Sequence, residues 1–497
     1  MRPNILFITS DQQQYNAFGI CKPEIKTPAL DRIAKEGALL SRAYCANPTC
    51  TPSRASILTG TYPSVHGAWT LGTGLMDDQT IFSSILKEAG YRTALIGKAH
   101  FQPLNETEEF LSCESFAHLQ EHDFWRSFGQ YYGFDKALLH RGHGCDKLIG
   151  ESYMLWLEKK GLANWKEYFL APGGSYQKKQ GATWTLPEEY HYSTWVGDEC
   201  REYLKDAKEK NEPFFLWASF SDPHPPYSVP APYDTMYDPN DIACPTYDIS
   251  EHDKNPPHYK MAFDPEADYH DYNETGYCVH MRCHLRSERQ HREDRAAYYG
   301  MISLMDKNIG RILDALDENG LTQNTLVIFT SDHGNFLGEH GLILKGPFHY
   351  EEMIRVPFLA RWPGVIPEGL RSERIVSLTD LAPTFLNAAG VTIPKRMQGK
   401  NLMDLLTGND IQVHKGVFCE NHQEPTKIFL ETYVTERYKI TVYFNRPWGE
   451  LFDLVEDPNE KNNLWEEDQT LRSRMLMEFI SAKMALEPMP MPRLGTA

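Results

Sequence analysis

The sequence predicts an α/β protein: a mixed, mostly parallel sheet sandwiched by helices, with a smaller C-terminal α+β domain that carries an antiparallel sheet. Three observations predict it. Short, nearly continuous apolar runs recur at 4–10, 91–97, 213–220 and 325–330, the pattern of strands buried on both faces. Amphipathic stretches with helical spacing lie between them, so strand and helix alternate. After residue 400 the texture changes to period-two alternation at 427–434, 438–443 and 450–454, as in antiparallel strands. The expected division is therefore 1–400 and 401–497, with irregular insertions at 101–192 and 228–292.

Taken in order, the first run ends in Asp11-Gln12, polar residues where a parallel strand presents its C-terminus. Residues 27–37 read as a helix, with Thr27 as cap, Pro28 at the first position and Gly37 as stop. A helix is expected to open near Cys50, because Pro52 suits a first turn, and another over 78–89 before Gly90. The run 91–97 leads into Lys98-Ala-His100, and alternate residues after a strand share a side. A helix over 193–207 precedes the run 213–220, which ends in Ser221-Asp-Pro-His224-Pro-Pro; the prolines hold that loop extended. Residues 297–319 form a long helix, and the run 325–330 ends in Ser331-Asp332-His333-Gly334. Residues 354–362 read as a fifth strand, 378–389 as a helix and 470–485 as the last helix.

Composition bounds the function. The 497 residues, 41% of them hydrophobic, suffice for a large core and more than one domain. A formal net charge of −18 makes a general binder of nucleic acid or anionic membrane a poor expectation, so an anion site must rely on local cations. No apolar run reaches membrane-spanning length, and the run at 5–8 is too short for a signal peptide. A cytoplasmic protein is expected. The ten cysteines are scattered without a Cys-x-x-Cys, which suits reduced thiols. His280 and His284 beside Cys278 and Cys283 are zinc-ligand types, at a spacing that matches no usual finger.

In a parallel sheet the ends carrying Asp11-Gln12, Lys98/His100, His224 and Asp332-His333 lie on one edge, and the Cys50 helix can start there. Asp11, Gln12, Asp332 and His333, with an oxygen on the nucleophile, suit a divalent cation. Arg54, Lys98, His100, His224 and Lys345 supply charge and protons. Metal plus cations is what a transferring sulfuryl or phosphoryl group requires.

The string Cys50-Thr-Pro52-Ser53-Arg54, followed by Leu58-Thr59-Gly60, resembles the signature of the type I sulfatases of the alkaline phosphatase superfamily. The likeness extends through Gly97-Lys98-Ala-His100, Pro223-His224, Ser331-Asp332-His333-Gly334, Gly338-Glu-His-Gly341 with Lys345, Arg355-Val-Pro357 and Leu451-Phe-Asp-Leu454 up to Glu460. It implies an alkaline-phosphatase-like fold and a sulfuric ester hydrolase acting on a small-molecule or saccharide sulfate. Cys50 would be oxidised to formylglycine by a formylglycine-generating enzyme. Catalysis would then fall to Cys50, Arg54, Lys98, His100, His224 and Lys345, and metal binding to Asp11, Gln12, Cys50, Asp332 and His333. Calcium is the first expectation, with manganese or magnesium as alternatives. Gln12 and His333 depart from the common Asp and Asn, and resemble choline sulfatases and phosphonate monoester hydrolases; the latter activity is the alternative. A homo-oligomer is compatible with all of this.

Overall fold

The computed structural model describes residues 2–76, 78–115, 131–143, 151–169, 182–272, 283, 286–422 and 427–487. Its centre is an eight-stranded sheet. In chain order the strands are β1 (Asn4–Ser10), β2 (Ala38–Leu40), β3 (Arg92–Gly97), β4 (Lys136–Leu139), β5 (Phe214–Ser219), β6 (Thr325–Ser331), β7 (Phe358–Arg361) and β8 (Leu370–Ser372). Across the sheet they run β8-β2-β7-β6-β1-β5-β3-β4. The five from β6 to β4 are parallel, and β7 is antiparallel to both its neighbours.

Alternation along each strand explains why both faces are covered. Leu6 and Ile8 of β1, with Leu216, Ala218, Val327 and Phe329, face one core. Helices α1 (Pro28–Lys35), α4 (Tyr192–Lys210) and α5 (Glu288–Glu318) pack there. Ile5, Phe7, Phe215, Trp217, Leu326 and Ile328 face the other, under α2 (Cys50–Thr59), α3 (Phe82–Glu88) and α6 (Leu381–Ala388). A side-chain period of two, with apolar residues at both phases, dictates this sandwich.

The C-terminal part is a four-stranded antiparallel sheet, β9 (Gly416–His422), β10 (Phe429–Thr435), β11 (Tyr438–Tyr443) and β12 (Gly449–Asp453), with α7 (Gln469–Ala485) against it. It buttresses the approach to Cys50. Arg42 donates to the carbonyls of Glu436 and Thr435 (2.7 and 2.9 Å), Glu420 N donates to Ala46 O (2.8 Å), and Asn47 Nδ2 donates to Glu420 O (2.5 Å).

Several sequence expectations are corrected. The strand expected over 354–362 breaks at Pro357: Arg355–Val356 pairs with Ala43–Tyr44 outside the main sheet, and only β7 joins it. A proline lacks the N–H a ladder needs, which divides the run. The insertion read over 101–192 contributes β4 to the sheet edge. The helix expected from 297 starts at Glu288, behind a Ser287/Gln290 capping box that lies in a polar run without apolar periodicity.

Thr27 does not cap α1 through its side chain. Asp306, projecting from α5, accepts from Ala29 N (3.0 Å) and Leu30 N (2.8 Å) instead. Asp306→Ala should destabilise the protein by about 2 kcal/mol, as loss of a helix cap does. Burial pushes the Asp306 carboxyl up to about 7 from an ordinary 3.8. A folded pKa above the unfolded one contributes stability that is complete at low pH and lost as pH rises through about 7. The stability advantage of wild type over Asp306→Asn, measured by denaturant titration, should therefore shrink between about pH 4 and about pH 7 and level off above that.

Candidate active site

Register places the polar strand ends together. Ser10 pairs with Ser331, Thr9 with Ser219, and Gly97 with Ser219, so Asp11, Asp332, Lys98 and the 221–224 loop emerge side by side. Asp11 N donates to Asp222 O (3.0 Å) and Lys98 N to Ser219 O (2.9 Å), which continues the ladder one step past the strands.

Cys50 is the first residue of α2 and is buried. Its Sγ lies 3.2 Å from Lys345 Nζ, 3.5 Å from Lys98 Nζ, 3.3 Å from His333 Nε2 and 3.5 Å from Asp11 Oδ1. Burial alone would raise the thiol pKa; Lys345, Lys98 and His333 outweigh it and hold the pKa well below the usual range. The same side chain favours the charged forms of His100 and His224, against burial, which pushes both imidazoles below their usual pKa.

Arg54, one turn along α2, is fully buried. Its Nε donates to Asp332 Oδ2 (2.8 Å), and Nη1 donates to Ser219 Oγ (2.8 Å) and Lys98 O (3.1 Å). Nη2 is buried with no acceptor among the described residues, which leaves its N–H groups for a bound anion. The other Asp332 oxygen accepts from Gln12 N (3.0 Å) and His333 N (2.9 Å). Lys98 pairs with Asp11, whose carboxyl stays well below the ordinary range although burial and Cys50 push it up; Lys98 and His224 outweigh them. Three buried cations, Arg54, Lys98 and Lys345, thus face two carboxylates, Asp11 and Asp332. The excess is an anion site built into an acidic protein.

The donor set fits one divalent cation. Oxygens of Asp11 and Asp332, His333 Nε2 and Cys50 Sγ all lie within 4.8 Å of one another. His333 Nδ1 donates to Gly334 O (2.9 Å), which frees the Nε2 lone pair. Gln12 sits at φ +66° with its Nε2 on Asn335 Oδ1 (2.8 Å), and its Oε1 is buried without a partner among the described residues. A hard oxygen left unsatisfied at this spot suits a metal ligand.

All the sequence-proposed residues converge here. His224 donates from Nδ1 to Pro225 O (2.6 Å) and turns Nε2 toward Lys345 Nζ (3.3 Å). His100, half-buried at φ +62°, is set by Glu114, which accepts from the backbone N–H groups of His100, Phe101 and Gln102 (3.0, 2.9 and 3.0 Å) and pairs with Arg141. Burial and Arg141 keep the His100 imidazole well below its usual pKa. Glu114, Arg141, Asn335 and His143 escaped the sequence reading; only the strand before His143 could have signalled it. Of the zinc-ligand types at 278–284, Cys278, His280 and His284 lie outside the described residues.

The fold and site define a hydrolase of the alkaline phosphatase superfamily. A family model described as Sulfatase matches residues 3–391, and one for the C-terminal region of N-sulphoglucosamine sulphohydrolase matches 338–484. An arylsulfatase of Clostridium perfringens is 31% identical over 472 residues, covering 93% of this chain and 90% of its own. An N-acetylglucosamine-6-O-sulfatase of Bacteroides thetaiotaomicron is 26% identical over 511 residues, covering 96% and 86%. The solved phosphonate monoester hydrolase of Agrobacterium radiobacter superposes with a TM-score of 0.79 at 22% identity, covering 99% and 98%. The chain belongs to the sulfatase family and is a sulfuric ester hydrolase.

Asp332→Ala should cost about 3 kcal/mol of stability, because it strands the Arg54 guanidinium in the interior. Denaturant unfolding checks this. Asp332→Asn, which keeps an acceptor for Arg54 Nε, should cost less.

Proposed function

We propose that this enzyme hydrolyses the sulfate ester of a phenol or saccharide, with the formylglycine form of Cys50 as nucleophile and one divalent cation held by Asp11, Gln12, Asp332 and His333. The observation that carries this is the convergence of two ammonium groups, Asp11 and His333 on the Cys50 side chain. The sulfur marks where the oxygen of the oxidised residue would sit. When bound, the cation supplies Lewis-acid polarisation of the nucleophile and of a sulfate oxygen.

The chain's own residues do the rest. Lys98 and Lys345 place positive charge where the sulfuryl oxygens gain negative charge, in a site that water reaches poorly. Arg54, fixed by Asp332, Ser219 and the Lys98 carbonyl, orients the nucleophile without reorganisation. The leaving oxygen takes its proton from the Lys345–His224 pair: the Lys345 ammonium donates to His224 Nε2, whose ring proton on Nδ1 is committed to Pro225 O, so the proton shared at Nε2 is the one delivered. His100, neutral through burial, accepts a proton from the nucleophile's second hydroxyl as sulfate departs. A formylglycine-generating enzyme is the required maturation partner. Calcium suits the oxygen ligands; the His333 nitrogen also admits manganese. The relatives named for aryl and N-acetylglucosamine sulfates support both substrate classes, and the insertions at 101–192 and 228–292 are proposed to choose between them.

Gln12 and His333 favour a second reading, phosphonate monoester hydrolysis on the same scaffold. Matched aryl sulfate and aryl phosphonate esters separate the two: faster sulfate cleavage is expected, and faster phosphonate cleavage would replace the first reading with the second. Cys50→Ala should lose about 10³-fold or more in kcat, the scale of a missing nucleophile. Chelation should abolish turnover, and add-back of calcium or manganese should identify the ion that restores it.

A further inference from the structure

The logic that assembles the site extends to a fifth strand end. β4 runs parallel to β3 with Leu139 level with Gly97, so the residues after Leu139 emerge beside Lys98. His143 is the fourth of them. Its Nε2 lies 2.6 Å from Lys98 Nζ and 3.5 Å from Asp11 Oδ2, and its ring stacks on His224 with centroids 3.8 Å apart at 21°. Arg141, two residues earlier, pins this segment by pairing with Glu114 and donating to Gln102 O (2.9 Å).

An ammonium has three donors and no acceptor. Lys98 therefore donates to His143, and the ring proton sits on His143 Nδ1. The three Lys98 protons are then fully used by Asp11, His143 and Cys50. This tripod fixes Nζ where a freely rotating lysine would not. Asp11, His143 and His224 also present three metal-ligand atoms. The Lys98 ammonium, bonded to both Asp11 and His143, disfavours a second cation there by direct repulsion.

We propose that His143 is a positioning residue for catalysis, holding the Lys98 ammonium toward the nucleophile and the His224 ring in the plane from which it protonates the leaving oxygen. The proposal rests on the hydrolase reading above. Its two functions separate chemically. Loss of the acceptor for Lys98 affects every substrate, whereas a misaligned His224 penalises poor leaving groups most.

The test compares wild type, His143→Ala and His143→Gln on aryl sulfates of increasing leaving-group pKa, with thermal melting as a check on folding. His143→Ala should lose about 10-fold in kcat on an activated nitrophenyl ester and about 100-fold on an unactivated phenyl ester, with a much smaller change in KM. His143→Gln restores an acceptor without the stacked ring, so it should recover rate on the activated ester only. Wild-type kcat in both variants would overturn the proposal. So would an equal loss across all leaving groups with Gln no better than Ala. Should the alanine variant not fold, the glutamine variant alone still gives the leaving-group contrast. The wild-type rate on sulfate tests the underlying reading separately, and the variant ratios can be read equally on a phosphonate series.

Discussion

The buried ion pair between Arg54 and Asp332 is the contact on which the rest of the site depends. It joins the first turns of α2 to the end of β6, and through Ser219 and the Lys98 carbonyl it reaches two further strand ends. Both side chains have no solvent exposure. A pair this deep gains little net stability, because desolvation offsets the attraction. Its value is in fixing geometry: Cys50 is held one turn before Arg54, so the pair sets where the nucleophile lies relative to Asp11 and His333.

That arrangement is electrostatically demanding. Lys98 and Lys345 converge on one sulfur, and their repulsion is tolerated because Asp11 and Asp332 lie within the same cluster. The protein as a whole carries −18, so long-range attraction of an anionic substrate is absent. Recognition must act at contact range, where burial strengthens each cation. The C-terminal sheet takes part indirectly. Lys439 donates to His349 O (2.6 Å), and Glu460 accepts from Glu351 N (2.8 Å), which fixes the chain just beyond Lys345.

Much of this was legible in the sequence because strands buried on both faces leave a strong signal, and their polar ends stand out against it. Asp11, Lys98, His224 and Asp332 were found that way. β4 was not, since its burial alternates at a sheet edge and a four-residue strand carries little pattern. With β4 went His143. Glu114 was invisible for another reason: it acts on backbone N–H groups of 100–102, and no spacing rule connects a lone glutamate to a loop it staples. The break at Pro357 was readable in principle, as the proline sits inside the apolar run. The long start of α5 was hidden because charged residues replace apolar ones there, although Ser287 and Gln290 give the capping spacing.

The most direct measurement is the mass of the peptide spanning Cys50, from protein produced together with a formylglycine-generating enzyme. The account predicts an aldehyde in place of the thiol. An unmodified cysteine in protein that nonetheless turns over sulfate esters would contradict the proposed nucleophile, and the convergence of Lys98, Lys345 and His333 on that side chain would need a different chemical explanation.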